Sequence, residues 1–469
     1  MATEMNVNED ALAFLADGTI TESERVEALQ QKSVIVPSWT NLKKEYDPLE
    51  HPVFKDPNYL DIAKSDGTVE RMTRIGMSLQ KLAAERMTEL VFGIPVKRIY
   101  KAVDEKEKAA AKILENIFTR NRIDSLNIER GTYLYAGCEF ATLWYAIKGE
   151  TNNIYGEPTT LRLRSKTYSP MNGDMIYPLF DEYDDLIALS FMFSRTKGKL
   201  TTQYFDTYTA DKHLQWQKKS GGSDWEAVIG EAIALKKIPA VYCYRPTPIW
   251  ESASNDVYEI EWTLSRNGNY IRKNGKPLFV VFADEEIDHG TSKDNSSLAV
   301  KQYPKGSSAQ YVTWEQSVES IKLQIENLYR AFFTQLQLPD MSFDTMKTVA
   351  MSGESRKMMF IDAYLKVLKE KGRLLECLDR EMNVIRAFAK VMFPKYANAF
   401  DSLNIEQIIT PFTISDEKEL ITNIMTATGG KPIVSQREGI ANLGWSDDIE
   451  ATMVELQQES AADLMEATI

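Results

Sequence analysis

Cysteine is scarce in this chain. Cys138, Cys243 and Cys377 lie far apart and show no CxxC spacing. That pattern argues against a disulfide framework or a zinc site and predicts three buried free thiols. Histidine is equally scarce. His51, His213 and His289 each stand in a polar loop or strand. No Ser-His-Asp triad or two-histidine metal site can be drawn from them, and surface positions are expected. Apolar runs fall short of the ~18 residues that a membrane span needs. The start, "MATEMNVNEDALAF", lacks the basic flank and apolar stretch of a secretory signal. The phosphate-cradling Gly-x-x-x-x-Gly-Lys-Ser/Thr loop is missing too. Gly275-Lys276 and Gly430-Lys431 both run into proline, which counts against an internal ATP motor. These absences describe a chain made and used in a reducing, soluble setting, with little chemistry of its own.

Basic excess is a further absence. The net charge is −13 and the pI about 5.1. A protein that grips nucleic acid over its whole surface needs Lys and Arg against the phosphates. That class is disfavoured, whereas a protein that lets nucleic acid slide past is not. The charge is also uneven. Residues 401–469 hold 13 acidic and 3 basic side chains, so −10 of the total lies there. At 469 residues and 43% hydrophobic content, ~three domains and a sizeable core are expected.

What is present reads as follows. Residues 19–30 form a helix, with the acids of Thr21-Glu22-Ser23-Glu24 in its first turn, where the helix dipole favours them. Helices are expected over 71–92, on the spacing of Met72, Ile75, Leu79, Leu82 and Met87, and over 104–120. "TLRLRSKTYSP" alternates apolar and polar residues, as a half-buried strand does. "LIALSFMFSR", "TTQYFDTYT" and two runs around a Ser-Gly-Gly-Ser turn continue that texture. Roughly 90–245 is thus a mixed α/β region with an antiparallel sheet, closed by the prolines of "RPTPIW".

A helix over 255–274 follows, with Ser254 as N-cap and Gly275 as C-cap. Then come a strand (276–283), a polar loop and a second strand (309–314). The next helix opens on a Thr313–Gln316 capping box and stops at Pro339. Two helices of similar length therefore bracket a small β element. The longest helical pattern spans 355–392, and Gly372 in its apolar stripe predicts a bend or a close helix crossing. A short strand (405–414) and acidic amphipathic helices (416–427, 435–443, 447–464) complete the chain, with Ser435 and Ser446 as caps.

Two stretches are candidates for function. Asp181, Glu182, Asp184 and Asp185 form an acidic cluster that could hold Mg²⁺ in a metal-dependent nuclease or phosphotransferase. A solvated hairpin turn is the simpler account of it. The second stretch is "PDMSFDTMKTVAM" (339–351). It is longer than most helix-to-helix links and carries Met341, Phe343, Met346 and Met351, which a free surface loop seldom displays. A neighbouring copy of the same chain is a candidate cover for them. Ser352-Gly353 then allows a sharp reversal, because Gly tolerates positive φ.

The order of these elements resembles the portal proteins of tailed bacteriophages, particularly the long-tailed siphophage type. The residues that carry the resemblance are "KKIPAVYCYRP" ahead of helix 255–274, the strand pair between two helices, "LPDMSFDTMKTVAMSGESRKMMF", and "FTISDEKELITNIMTATGGKPIVSQREGIANLGWSDDIEATMVELQQE". The first 90 residues match only loosely, and Ser355 stands where the family's Ser-Gly-x-Ala step has alanine.

The resemblance implies an α+β portal-protein fold. Its parts are an α/β wing (1–250), stem helix 1 (251–275), a small β-containing clip (276–312) and stem helix 2 (313–338). A tunnel loop, long wing helix and returning wing strand (339–413) and an α-helical crown (414–469) follow. It also implies a ring of twelve copies at one vertex of a viral capsid, with double-stranded DNA passing through its channel during packaging and ejection. The clip would dock the terminase motor and later a head-tail adaptor; the wing would meet the major capsid and scaffold proteins. Such a protein is structural, with no catalytic residue, cofactor, metal or membrane partner. It resides in the virion, and in the host cytoplasm during assembly. Asp340, Met341, Ser342, Phe343, Asp344, Thr345, Met346, Lys347, Thr348 and Met351 would line the channel, with Ser352 and Gly353 as the hinge. Lys347, Arg356 and Lys357 would be the contacts to the DNA backbone.

Overall fold

Caps and alternation set the local elements of the computed structural model. It describes residues 9–63, 65, 67–219, 221–274, 278–282, 308–312, 318–340, 360–412, 417–429, 434–443, 446 and 449–466. The N-terminal stretch holds α1 (Glu22–Leu29), α2 (Trp39–Tyr46), a one-turn α3 (Pro52–Lys55) and a minimal hairpin of β1 (Ile62–Ala63) and β2 (Val69–Glu70). α1 begins at a reciprocal capping box. The Glu24 N–H donates to Thr21 Oγ1 (3.3 Å), and the Thr21 N–H donates to Glu24 Oε2 (2.8 Å). Next come α4 (Leu79–Phe92), β3 (Lys97–Lys101), α5 (Glu105–Arg120), α6 (Ile123–Gly137), β4 (Glu139–Asn152) and β5 (Thr159–Tyr168).

β6 (Met175–Phe180), β7 (Leu186–Lys197), β8 (Leu200–Thr209), β9 (Lys212–Lys219) and β10 (Glu226–Ala232) form an antiparallel meander of five strands in that spatial order. Its tightest turn has a clear cause. Lys197 pairs with Leu200, leaving Gly198-Lys199 as a two-residue loop, and Gly198 sits at φ +66°, where a hairpin of this length needs glycine. β11 (Ala240–Tyr244) returns beside β4, giving a second sheet in the order β11-β4-β5.

α7 (Ser254–Asn274) and α8 (Val318–Leu336) flank the paired β12 (Leu278–Phe282) and β13 (Ser308–Val312). The small β element thus lies between two helices, as expected. α9 (Ile361–Met392) is ~48 Å long. α10 (Ala397–Ser402) and β14 (Asn404–Ile408) bring the chain back, and β14 pairs with β3. The acidic helices α11 (Glu417–Thr428), α12 (Gln436–Leu443) and α13 (Ile449–Glu466) close it. Ser435 and Glu438 make the expected capping box for α12. No helix among the described residues is long and apolar enough to cross a membrane.

The main core gathers α4, α5, α6, α7, α8 and α9 around Met87, Leu114, Tyr135, Trp250, Phe332 and Ile385. A second cluster lies between the two sheets, where Leu143 and Tyr168 meet Leu189 and Phe191. A third lies on the opposite face of the five-stranded sheet, where α1 sets Val26 and Leu29 against Ala188, Phe205 and Trp216. Ala188 and Leu189 are chain neighbours serving different clusters, as the period of two requires.

Several expectations change. The helix expected from 71 begins only at Leu79, because the backbone of 73–77 bonds to side chains of α7 instead of to itself. Ser254 is the first residue of α7 rather than its cap, and its hydroxyl donates to Glu45 Oε2 (3.0 Å). Gly372 marks no close helix crossing, since a Cβ there would meet nothing within 4 Å. Cys243 and Cys377 are joined as a disulfide rather than left as free thiols, with Cα atoms 6.1 Å apart. β11 packs on α9 and unites residues 134 apart, a meeting that chain spacing does not reveal. Cys138 is the buried free thiol that was expected, and burial pushes its pKa up to about 12. His51 is buried, not on the surface. His213 is half-buried and stacks on Tyr208 with ring centres 4.4 Å apart.

Candidate functional site

Helix α7 is fastened to the rest of the chain along one polar face. Glu261, Ser265 and Asn269 stand four residues apart, on one side of the helix. They accept from the backbone N–H groups of Met77 (2.6 Å), Ile75 (2.9 Å) and Thr73 (2.6 Å). Four residues of helix advance ~6.0 Å, and two residues of extended chain ~6.6 Å. The two repeats stay in register for three bonds. Gly268 lets the extended segment approach: a Cβ there would come within 2.8 Å of Thr73 Cγ2. Arg272 Nη1 continues the contact by donating to the Arg71 carbonyl (2.8 Å).

His51 closes this contact from below. Its Nδ1 lies 2.6 Å from Glu261 Oε1 and its Nε2 lies 2.7 Å from the Glu45 carbonyl. A carboxylate and a carbonyl oxygen beside the two ring nitrogens favour the imidazolium, which can donate to both. Burial acts to lower its pKa. The hydrogen bond and charge of Glu261, with the Glu45 carbonyl and Asp47, outweigh burial and hold it above its ordinary value.

The second part of the site is the root from which residues 341–359 leave and to which they return. On one side, α8 buries Phe332 and Leu336, Gln337 turns through φ +54°, and Leu338 is buried again. On the other side, Phe360 is buried at the head of α9, followed by Ala363 and Val367. All belong to one cluster. The Lys366 ammonium donates to the Leu336 carbonyl and ties the two helices together. A cation at the exposed carbonyls of a helix end is favourable with respect to the helix dipole. Burial, with Arg245 nearby, lowers the Lys366 pKa to about 8. Arg245 itself pairs with Glu370 (3.3 Å).

Further along α9 a buried trio fixes the helix to α6 and β4. Arg130 on α6 holds Glu381 through two parallel bonds (2.9 and 2.7 Å), and Trp144 Nε1 donates to the same carboxylate (2.9 Å). None of Lys366, Arg245, Arg130 and Glu381 stands out in the sequence, because each is one charge among many until the fold removes water from it.

Of the residues expected to line a channel, Asp340 is described and lies half-buried at the root. Met341, Ser342, Phe343, Asp344, Thr345, Met346, Lys347, Thr348, Met351, Ser352, Gly353, Arg356 and Lys357 lie outside the described residues, as do Gly275, Thr313 and Gln316. The acidic stretch 181–185 is the loop of the β6–β7 hairpin. Asp181 Oδ1 accepts from the backbone N–H groups of Tyr183 (2.9 Å) and Asp185 (2.8 Å), and Asp184 sits at φ +63°. The Asp181 carboxylate therefore builds the turn. Among the described residues, no group of three or more Asp, Glu, His or Cys is placed to hold a metal ion.

Comparison with known proteins gives three findings. No curated protein matches the chain significantly. Among solved structures, it is similar to a chain in the virion of a native gene transfer agent particle, at 10% identity, covering 91% of this chain and 99% of that one, with a TM-score of 0.38. It is likewise similar to a chain in the neck of a native gene transfer agent particle computed with C12 symmetry, at 11% identity, covering 90% and 99%, with a TM-score of 0.38. The family model described as phage portal protein, SPP1 Gp6-like, matches residues 30–465. With nearly the whole length matched, the chain belongs to the SPP1 Gp6-like family of phage portal proteins.

Proposed function

We propose that this structural connector assembles as a ring of twelve copies around a channel for double-stranded DNA, that residues 340–351 line the narrowest part of that channel, and that Ser352-Gly353 is the hinge behind them. The observation that carries the reading is the root. Leu336, Leu338 and Phe360 are buried in one cluster, and Lys366 bridges the two helices that enter and leave it. A segment whose ends are fixed at one rigid point is suited to bearing on a passing polymer. Strands β12 and β13, between stem helices α7 and α8, are the proposed docking tip for the packaging motor and then for a head-tail adaptor. The acidic C-terminal region repels phosphate over the ~8 Å reach of charge at physiological salt, which favours sliding over sticking. Nothing in this role requires a bond to be made or broken, so no cleavage of plasmid DNA with Mg²⁺ or Mn²⁺ is expected.

Native mass measurement tests the ring. Twelve copies of a 53.4 kDa chain weigh ~640 kDa, and a monomer that persists under all conditions would sink the proposal. The channel contact has its own test. Lys347→Glu is expected to alter packaging rate or DNA retention; unchanged values for both would remove Lys347 as a contact.

A further inference from the structure

The two wing sheets pack face to face and then part. At the packed end Tyr168 stacks on Phe191, ring centres 4.2 Å apart. Beyond it, one wall of the opening is the exposed face of β4 and β5. There Tyr145 pairs across the strands with Arg164, and Ile147 with Arg162. Tyr145 is 40% exposed and Ile147 48%. Lys166 is next along β5, its ammonium 4.0 Å from the ring centre of Tyr168 and 5.0 Å from that of Phe193. The facing wall is β7 and β8, where Arg195 lies over Phe193 and Tyr204, 5.3 Å from each.

Arg162, Arg164, Lys166 and Arg195 are exposed, and none has a carboxylate within ion-pair distance among the described residues. The carboxylates that act on Lys166 lie deeper and are engaged elsewhere. Asp174 accepts from the Ser169 N–H (3.3 Å), and Asp206 from Gln215 Nε2 (2.5 Å). In a chain with 68 acidic and 55 basic residues, four neighbouring cations without an ion-pair partner among the described residues make a locally basic surface. Two exposed apolar side chains stand among them.

We infer that this cleft binds an acidic, partly apolar polypeptide segment of a partner protein. Charge complementarity supplies the attraction, and Tyr145 and Ile147 supply an apolar surface that phosphate would not use.

The test uses the full-length protein and a fluorescein-labelled peptide of repeated Glu-Leu-Glu-Ala units. Binding is followed by anisotropy at low and physiological salt, with a short DNA duplex as competitor. The expected result is binding that weakens with salt and falls about tenfold or more in Arg162→Glu/Arg164→Glu/Arg195→Glu. Tyr145→Ser/Ile147→Ser should lose affinity a few-fold with the salt dependence unchanged. If the reversal variant melts early, Arg162→Gln/Arg164→Gln carries the test, with a smaller loss expected. Three results overturn the inference: no binding by the wild type, equal binding by the charge variants, or displacement of the peptide by duplex that itself depends on these arginines. The native mass of each sample is recorded in parallel. A missing ring and an empty cleft are then separate outcomes.

Discussion

The two halves of α9 differ in how their apolar residues are finished. From Leu374 onward, Leu378, Met382, Ile385, Phe388 and Met392 are buried by this chain alone, with Val391 the exposed exception. In the first turns Ala363 and Val367 face inward, but Ile361, Tyr364, Leu365 and Leu368 remain between 42% and 54% exposed. Those four are spaced as one face of a helix. A helix that is apolar on two faces is suited to burial on both. The second half is thus completed within one chain, whereas the first half keeps an open apolar face, which the proposed ring would cover.

Breaking the finished half should produce the largest effect. Glu381→Leu leaves the Arg130 guanidinium buried without its carboxylate and takes the acceptor from Trp144 Nε1. Removing one partner of such a pair costs about 3–5 kcal/mol, readable as a lower midpoint in urea unfolding. A loss below about 1 kcal/mol would mean that the pair is solvated and the half is less finished than it looks.

A matched pair of leucines sharpens the comparison. Leu378→Ala, in the buried half, should cost about 2–5 kcal/mol. Leu365→Ala, in the open half, should change monomer stability by no more than about 0.5 kcal/mol. Leu365→Glu should shift native mass from ring to smaller species at unchanged monomer melting temperature. If Leu365→Ala destabilises as much as Leu378→Ala, the outer face is covered within one chain and the contrast disappears.

Helix α7 offers a polar version of the same question. Ser265→Ala and Asn269→Ala each remove one acceptor from the backbone of 73–77. A single such hydrogen bond contributes about 1 kcal/mol. The more telling readout is amide exchange at Thr73, Ile75 and Met77. It should accelerate at the residue whose acceptor is lost and propagate little, because α7 keeps its apolar contacts through Val257 and Ile260.

Much of this was legible in the sequence and some was not, for physical reasons. Strand β5 announces itself because the period of two survives, and β7 and β8, covered on both faces, show instead as runs rich in apolar, aromatic and β-branched residues. The caps of α1 and α12 are local, with donor and acceptor three residues apart. The strand pair between two helices also follows from local pattern. The segment 71–77 does not: Met72 and Ile75 fit a helical period, but the bonds that decide its shape come from residues about 190 positions away. The same holds for Cys243 with Cys377, and for Arg130 with Glu381. The residues expected to line a channel fall almost wholly outside the described residues, and Lys366 and Arg245 at the root carry no sequence signal of their own.

The smallest effect concerns pH, and its sign follows from His51. The ring faces Glu261 Oε1 and the Glu45 carbonyl, so the folded state favours the imidazolium and its pKa lies above 6.5. The unfolded ring titrates near 6.5. A raised folded value means that the stabilisation is fully present below about pH 6.5 and fades as pH rises through the folded value. Unfolding free energy should thus fall with pH in that interval, by at most about 1.4 kcal/mol per unit. Lys366 acts in the opposite sense. Its folded value of about 8 lies below the ordinary 10.5, so stability gained through it rises with pH above about 8. The difference between wild type and His51→Gln separates the two, because Lys366 is common to both. Urea midpoints at about pH 6, 7 and 8 should converge for the two proteins as pH rises. Parallel curves would mean that the His51–Glu261 contact is neutral, and that α7 is held to the body by the bonds to Thr73, Ile75 and Met77 without help from a buried charge.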